Sequence, residues 1–563
     1  MKSVVHISTS DKQGGAAIAA WRLHKGMRNL SVDSRMVSRH RSWQGPEVST
    51  LSTPLFAAAD LFHQKRVIPA QPEAANLFSL SPVSLPLLDH PWIAEADVIH
   101  LHWVAQFLAP EDIASLCEAG KTVFWTFHDQ WPYTGGCHYI GGTTREQEDW
   151  DGSAQIASTM HEFARMELLR KKQAFFDSPI HVIAPSRWMA EEAAASGVFH
   201  PERIHVVPYG IDTTVFRPAS QEIESSKDPD GGHKVRLLFG CQYLGEHRKG
   251  YSELRQALAL CMADRPFAQA VEDGQIQLTT FGGIPHGGLD FGIPSTHLGM
   301  LPGEKEVAEV LRGSSAFICP TLEDNLPNVV MESLACGCPV IAFNTGGIPD
   351  MVSHEESGLL APKGDVEALA QYLIRFCMDS PLRQRLRDGT NLSPPDDRSL
   401  QTQASRILEL YEAFAQTPQT PSPGKLADCL ASVTVGAVIL PHFGTEMVRM
   451  FLDENTKRQL DYSRQLKELM VTVVQSRMQT SESQEQLNQL QQQLHNETHA
   501  TAQQRRLRKE LKSNLTQSAR RLETLKLRIG KLRELNRKLK NPPKKKSTLQ
   551  RVRHFFHRRL KGN

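Results

Sequence analysis

Eight short, continuous apolar runs, with room for helices between them, constrain the fold of this chain more than any other feature. Val4-Val5-His6-Ile7, Val98-Ile99-His100-Leu101, Val123-Phe124-Trp125-Thr126-Phe127 and His181-Val182-Ile183-Ala184 lie in the first part. Val235-Arg236-Leu237-Leu238-Phe239-Gly240, Ile276-Gln277-Leu278-Thr279-Thr280-Phe281, Ala316-Phe317-Ile318-Cys319 and Val340-Ile341-Ala342-Phe343 lie in the second. Strands apolar on both faces must be covered on both faces, which is the condition of a parallel sheet between helical layers. The first run shows the unit: strand, a Gly14-Gly15 break, then strong helix formers over residues 16–28. The expected class is α/β, built as two Rossmann-like domains.

A polar stretch at 220–233, rich in Ser, Asp and Gly, separates the two sets of runs. The chain is accordingly divided into a first α/β domain at 1–215, a second at 216–395 and a returning helix at 396–415. Three prolines within residues 418–423 exclude regular helix and mark a linker at 416–427, followed by an amphipathic connector at 428–455. A coiled coil is expected at 456–541, where one heptad register can be carried from Tyr462 to Leu539: with Leu466 at a, the seam takes Leu469, Val473, Leu487, Leu490, Leu494, Leu511, Leu515, Leu522, Leu525, Ile529, Leu532 and Leu539. Asn536 falls at an a position, where a buried Asn fixes register and a two-stranded state. Polar residues on the seam between Ser476 and Arg508 predict a frayed centre; a long solvated helix or disorder is the alternative.

Charge divides the chain more sharply than the formal net of +2 suggests. Residues 505–563 carry 22 Lys or Arg against three acids, a net of +19, which leaves the first 504 residues at −17. A basic tail on an acidic body points to an anionic partner for the tail. In the tail at 542–563, Lys544-Lys545-Lys546 precede a segment with Leu549, Val552, Phe555, Phe556 and Leu560 among cations, the pattern of a helix lying on an anionic membrane. Nucleic-acid binding and a plain solvated tail fit the same charge. No run reaches the roughly 18 to 20 apolar residues of a membrane span, and the N-terminus has no secretory pattern. Nine cysteines without a Cys-x-x-Cys pair read as reduced thiols, so the protein is expected in the cytoplasm, peripheral on the inner membrane face if its tail binds there.

Ligands of open parallel sheets bind beyond the carboxyl ends of strands, so the residues after each run are the candidates. Gly14-Gly15-Ala16 opens a helix whose N–H groups can approach an anion, although a Gly-Gly turn at a strand end is also ordinary local structure. His128-Asp129 follows the third run; the pair can hydrogen-bond sugar hydroxyls, and Asp129 is a candidate general base. Trp103, Trp131 and Tyr133 offer flat faces for a sugar ring or, equally, core packing. Arg248-Lys249 can neutralise a diphosphate or stand as solvated surface charges. The most informative stretch is residues 320–340, where Asp324 in a polar loop and Glu332 in a helix are eight apart, suiting sugar hydroxyls and a ribose respectively.

These residues resemble the family 4 retaining glycosyltransferases of the GT-B fold, especially those of bacterial exopolysaccharide pathways such as colanic acid. The resemblance covers about residues 1–415 and rests on Gly14-Gly15-Ala16-Ala17, Ile99-His100-Leu101-His102-Trp103, the segment 128–137, Pro185-Ser186, Val207-Pro208-Tyr209-Gly210-Ile211-Asp212, Arg248-Lys249-Gly250, the 320–340 stretch and Gly346-Gly347-Ile348-Pro349-Asp350. It implies an acceptor domain first, a nucleotide-sugar domain second, and transfer of a hexose from a GDP- or UDP-sugar to a glycan or lipid-linked acceptor, with retention and without a cofactor or metal. Lys249 and Arg248 would hold the diphosphate, Gly15 would let the N-terminal loop reach it, His128 would contact the sugar, and Glu332 the ribose. Asp324 takes the first position of the family's Glu-x7-Glu motif, with Glu323 beside it as an alternative, and Asn325, Leu326 and Pro327 would offer main-chain contacts. An Arg that many relatives carry shortly after the strand is replaced here by Cys241-Gln242. A homodimer through the coiled coil is expected. The competing readings are a GT-B nucleotide-sugar epimerase and a catalytically inactive sugar-nucleotide-binding scaffold.

Overall fold

The computed structural model describes residues 3–52, 77–81, 85–141, 161–218, 234–285, 288–390 and 398–415, with isolated positions 56, 60 and 63. The linker, connector, coiled coil and basic tail expected after residue 415, and the homodimer and membrane contact expected of them, lie outside the described residues.

The first domain is a seven-stranded sheet in the order β3-β2-β1-β4-β5-β6-β7. Its strands are β1 (Ser3–Ser10), β2 (Asp33–His40), β3 (Val48–Thr50), β4 (Val98–Leu101), β5 (Thr122–Thr126), β6 (Ile180–Ala184) and β7 (Ile204–Val206). All neighbours are parallel, with Val4–Ile7 in register with Val98–Leu101 and these with residues 122–125. The four expected runs form β1, β4, β5 and β6; β2 was hidden because Asp33-Ser34-Arg35 interrupts its apolar pattern.

The second domain has six parallel strands, in the order β10-β9-β8-β11-β12-β13: β8 (Val235–Tyr243), β9 (Ile276–Gly283), β10 (Ser295–His297), β11 (Ala316–Cys319), β12 (Val340–Asn344) and β13 (Gly358–Pro362). In each sheet the order reverses beside the first strand of its domain, between β1 and β4 and between β8 and β11, which opens a crevice at the carboxyl ends of those strands.

Helix α1 (Gly15–Asn29) follows β1, α2 (Glu304–Arg312) precedes β11, and α3 (Asn328–Ala335) follows it. The last described helix, α4 (Leu400–Ala415), returns to the first domain, where Ala404, Ile407 and Tyr411 pack with Val4, Leu23, Met27 and Phe124. Gly26 permits this contact, since a Cβ there would lie 2.5 Å from the Leu400 carbonyl oxygen. The two chain crossings between domains bond to each other: Ile211 N–H donates to Arg398 O at 2.9 Å, and Leu400 N–H to Ile211 O at 3.1 Å. Among the described residues, no helix is long and apolar enough to cross a membrane, and Cys117, Cys241, Cys261, Cys319, Cys336, Cys338 and Cys377 are free thiols.

Candidate active site

The cleft is lined by segments that leave the carboxyl ends of β1, β4 and β5 on one side and β8, β11 and β12 on the other. On the second-domain side, Lys249 Nζ donates to Asp324 Oδ2 at 2.6 Å, and Arg248 Nη1 lies 3.1 Å from the same oxygen. Arg248 also donates to Glu246 and to the main-chain oxygen of Glu323. Its guanidinium lies over the Tyr139 ring, 4.3 Å from the centroid, and the Tyr139 hydroxyl is 3.4 Å from Asp324 Oδ1. Burial alone would raise the Asp324 pKa, but Lys249 and Arg248 outweigh it and hold the carboxyl at about 2.

Glycine packing holds this loop in place. Gly346 has φ +55, and a Cβ there would lie 1.7 Å from the Asp324 carbonyl oxygen; at Gly347 it would lie 2.0 Å from that of Asn325. The Gly346-Gly347 pair is therefore the floor against which the Asp324-Asn325 backbone rests.

Helices α1 and α3 start at one place. Neither has a side-chain cap or an acidic residue in its first turn, and Asn328 Nδ2, in the first residue of α3, donates to Gly15 O, in the first residue of α1, at 3.0 Å. Gly14, with φ +95, sits where a Cβ would be 3.5 Å from Gln242 Oε1 at the end of β8. Two uncapped helix starts side by side present free N–H groups and partial positive charge to one point.

The site residues expected from the sequence are placed as follows. Gly14, Gly15, Arg248, Lys249, Asp324 and Glu323 come to the cleft; Glu323 Oε2 accepts from Gly141 N–H at 2.9 Å, and burial first of all raises its pKa. Asn325 ties the domains together, accepting from Ser186 Oγ at 2.8 Å and donating to the Phe127 and His128 carbonyls. Leu326 is buried in the apolar cluster beneath, and Pro327 is the residue before α3. Glu332 is met from the first domain: Arg22 of α1 donates to it at 2.6 Å and to Glu304 of α2 at 2.8 Å. Burial raises the Glu332 pKa against the lowering effect of Arg22.

Two of the expected site residues are engaged within the protein. The Asp129 carboxylate accepts from Trp103 Nε1 (2.6 Å), His138 Nδ1 (2.6 Å) and Trp131 N–H (3.0 Å). Burial raises its pKa, but His138 and the other donors turn the net shift downward, so it anchors the loop after β5. His128, at the cleft edge, has both ring nitrogens engaged inside the protein, with Tyr209 and His102. Of the three aromatic faces, Trp131 and Tyr133 are core side chains, the former under the Lys171 ammonium at 3.6 Å from the centroid; Trp103 is half-buried. Buried Lys171 donates to Trp131 O and Thr134 O, and burial lowers its pKa to about 7.

Sequence reasoning missed Arg22 and Tyr139, and it named Tyr209, His100 and His102 only as parts of motifs, with no role of their own. Nitrogens of His6, His100 and His102 lie within 4.8 Å of one another, as in a metal cage. The set does not fit one: His100 uses both nitrogens, on Tyr411 and Thr126, and its ring stacks on His102 with 14° between planes, so the lone pairs do not converge.

Residues 13–215 match the family described as Glycosyltransferase Family 4, and residues 294–391 match Glycosyl transferases group 1. Over these residues the chain is similar to the glycosyltransferases that the two family models describe. The chain is 23% identical over 344 residues to the putative colanic acid biosynthesis glycosyl transferase WcaC of Escherichia coli K12, a match covering 58% of the chain and 76% of that protein. It is 26% identical over 263 residues to the MMP alpha-(1->4)-mannosyltransferase of Mycolicibacterium hassiacum, covering 44% of the chain and 59% of the relative. Against the alpha-maltose-1-phosphate synthase of Mycolicibacterium smegmatis, 29% identical over 191 residues, the match covers 32% of the chain and 47% of the relative. The chain thus spans about half the length of these last two relatives. Among solved structures, Anabaena Alr3699/HepE in complex with UDP and glucose is 16% identical with a TM-score of 0.49, the match covering 74% of this chain and 100% of that one.

Proposed function

We propose that this protein transfers a hexose-type sugar from a nucleotide-diphosphate donor to a hydroxyl of a glycan or lipid-linked acceptor, with retention, in surface polysaccharide biosynthesis. The observation that carries the proposal is the meeting of the uncapped starts of α1 and α3 at the mouth of the β8–β11 crevice. A diphosphate bound there takes the orphan N–H groups of both helices. Lys249 and Arg248 neutralise the charge that grows on the leaving diphosphate as the glycosidic bond breaks, which makes a metal unnecessary. Asp324, kept ionised by those cations, accepts from sugar hydroxyls, and Glu332, oriented by Arg22, accepts from the ribose. Matches to exopolysaccharide and mannosyl transferases support the donor and acceptor classes.

The test uses the full chain with GDP- and UDP-sugars, with Lys249→Ala and Glu332→Ala as controls. Saturation at about 100 times Kd contributes about 2.7 kcal/mol of stability, which appears as a higher melting temperature. The expected result is one donor that raises the melting temperature and is hydrolysed in EDTA, both effects being lost in the two variants. A donor that raises the melting temperature but is neither hydrolysed nor transferred would favour the scaffold, folded wild type that responds to no donor would overturn the reading, and turnover that stops in EDTA would overturn the metal-free chemistry. The anomeric proton coupling of a newly formed product decides retention.

A further inference from the structure

Four side chains form one hydrogen-bond chain behind the first-domain side of the cleft. His6 Nδ1 lies 2.9 Å from His102 Nε2, His102 Nδ1 lies 3.2 Å from His128 Nε2, and His128 Nδ1 lies 2.7 Å from the Tyr209 hydroxyl. All four residues are buried. Burial is the main cause that lowers the pKa of all three imidazoles, leaving them neutral at physiological pH. Each ring then has one N–H and one lone pair.

A row of three neutral rings has two proton arrangements that satisfy every link: all protons on Nδ1, or all on Nε2. The ends distinguish them. His6 Nε2 is buried and has no hydrogen-bond partner among the described residues. Protons on Nε2 would leave an N–H donor stranded there, whereas protons on Nδ1 leave only a lone pair, and stranded buried donors are the rarer and costlier case. The Nδ1 arrangement makes His128 donate to the Tyr209 oxygen, so the Tyr209 hydroxyl proton is left for a further acceptor. Tyr209 belongs to the apolar cluster that also holds Leu326, two residues after Asp324, and Ala19 of α1, and the charges of Asp324 and Asp129 both act on its hydroxyl.

We infer that Tyr209 is the hydrogen-bond donor to the transferred sugar from the first-domain side of the cleft, and that His6 and His102 are positioning residues that secure this role by setting the tautomer of His128. The inference rests on the nucleotide-sugar reading above and replaces His128 by Tyr209 as the group that meets the sugar. Nothing is covalently transferred along the chain; its function is to orient one hydroxyl.

Long-range proton–nitrogen correlation spectra of the full chain labelled with ¹⁵N-histidine, assigned by single His→Gln substitutions, read the tautomers without any donor. The expected result is the Nδ1–H form at His6, His102 and His128, against the Nε2–H form that free histidine favours in water; Nε2–H at His128 overturns the inference. In turnover, Tyr209→Phe is expected to lower kcat/KM for the sugar nucleotide by about 10- to 100-fold while the Kd of the bare nucleoside diphosphate stays within about twofold. His102→Gln should lower kcat in the same sense, and the double variant should be no worse than Tyr209→Phe alone, because both act through one hydroxyl. Additive losses, or equal weakening of nucleoside diphosphate and sugar nucleotide, overturn it. Wild type that binds no sugar nucleotide overturns the parent reading, and the tautomers remain measurable.

Discussion

The two walls of the cleft bury polar groups by opposite means. The first-domain wall uses neutral imidazoles linked to each other and to hydroxyls, whereas the second-domain wall uses full charges, with Arg248 and Lys249 on Asp324. A neutral network needs only that every donor find an acceptor, and its directionality orients its last member. An ionic cluster repays its desolvation only when cations and anions remain paired, so it is poised to exchange partners when a new anion arrives. Orientation belongs to one wall and charge compensation to the other.

Acid should break the comparison most strongly. Burial lowers the pKa of His24 to about 4, His100 to about 3 and His128 to about 4, all against 6.5. The unfolded chain therefore binds more protons than the folded one between pH 6.5 and about 3 to 4, and stability falls as pH drops through that window. At about 1.4 kcal/mol per unit for each group, the loss is on the order of several kcal/mol. Asp324 contributes in a lower window: its stabilisation is complete above 3.8 and lost as pH falls through about 2. All eight tryptophans lie at or before Trp188, so fluorescence reads the first domain selectively. It should move between pH 6 and 4, before circular dichroism of the whole chain is lost; simultaneous loss at pH 3 would erase the distinction.

Second in size, Asp324→Ala should destabilise the donor-free protein by about 3–5 kcal/mol, because it leaves two partly buried cations without their shared partner, and added nucleoside diphosphate should restore part of that loss. Urea titration with and without the nucleotide checks both. The smallest effect is expected at the surface, where Glu355 pairs with Arg375 and Arg385. Glu355→Ala should change stability by less than about 1 kcal/mol and fade with salt, since both arginines are exposed.

The alternation of strands and helices was legible in the sequence because buried parallel strands are written as uninterrupted apolar runs, and the cleft loops because they follow those runs. Asp324, Arg248 and Lys249 were candidates on that ground, and the family resemblance gave them, with Glu323 as the alternative to Asp324, their expected roles. Arg22 could not: its partner Glu332 is 310 residues away, and nothing within α1 distinguishes Arg22 from a surface arginine. Tyr139 was hidden for the same reason, since it meets Arg248 and Asp324 only when the sheets face one another, and Tyr209 because its partner His128 lies 81 residues away across the first-domain sheet. The sequence left the partners of Asp129 and of the Trp131-Pro132-Tyr133 turn open. Polar and aromatic residues after a strand look alike whether they face a ligand or, as here, are held by His138, Trp103 and Lys171.

Helix α4 makes the chain's mechanical connections asymmetric. The second domain is entered and left through two backbone segments that bond to each other at Ile211 and Leu400, and its other ties to the first run through side chains, Arg22 to Glu332 and Asn325 to the Phe127 and His128 carbonyls. Because α4 packs on the first domain, the described chain ends on the half that carries Tyr209 and the histidine row, and tension drawn from that end bears on that half before it reaches the second domain.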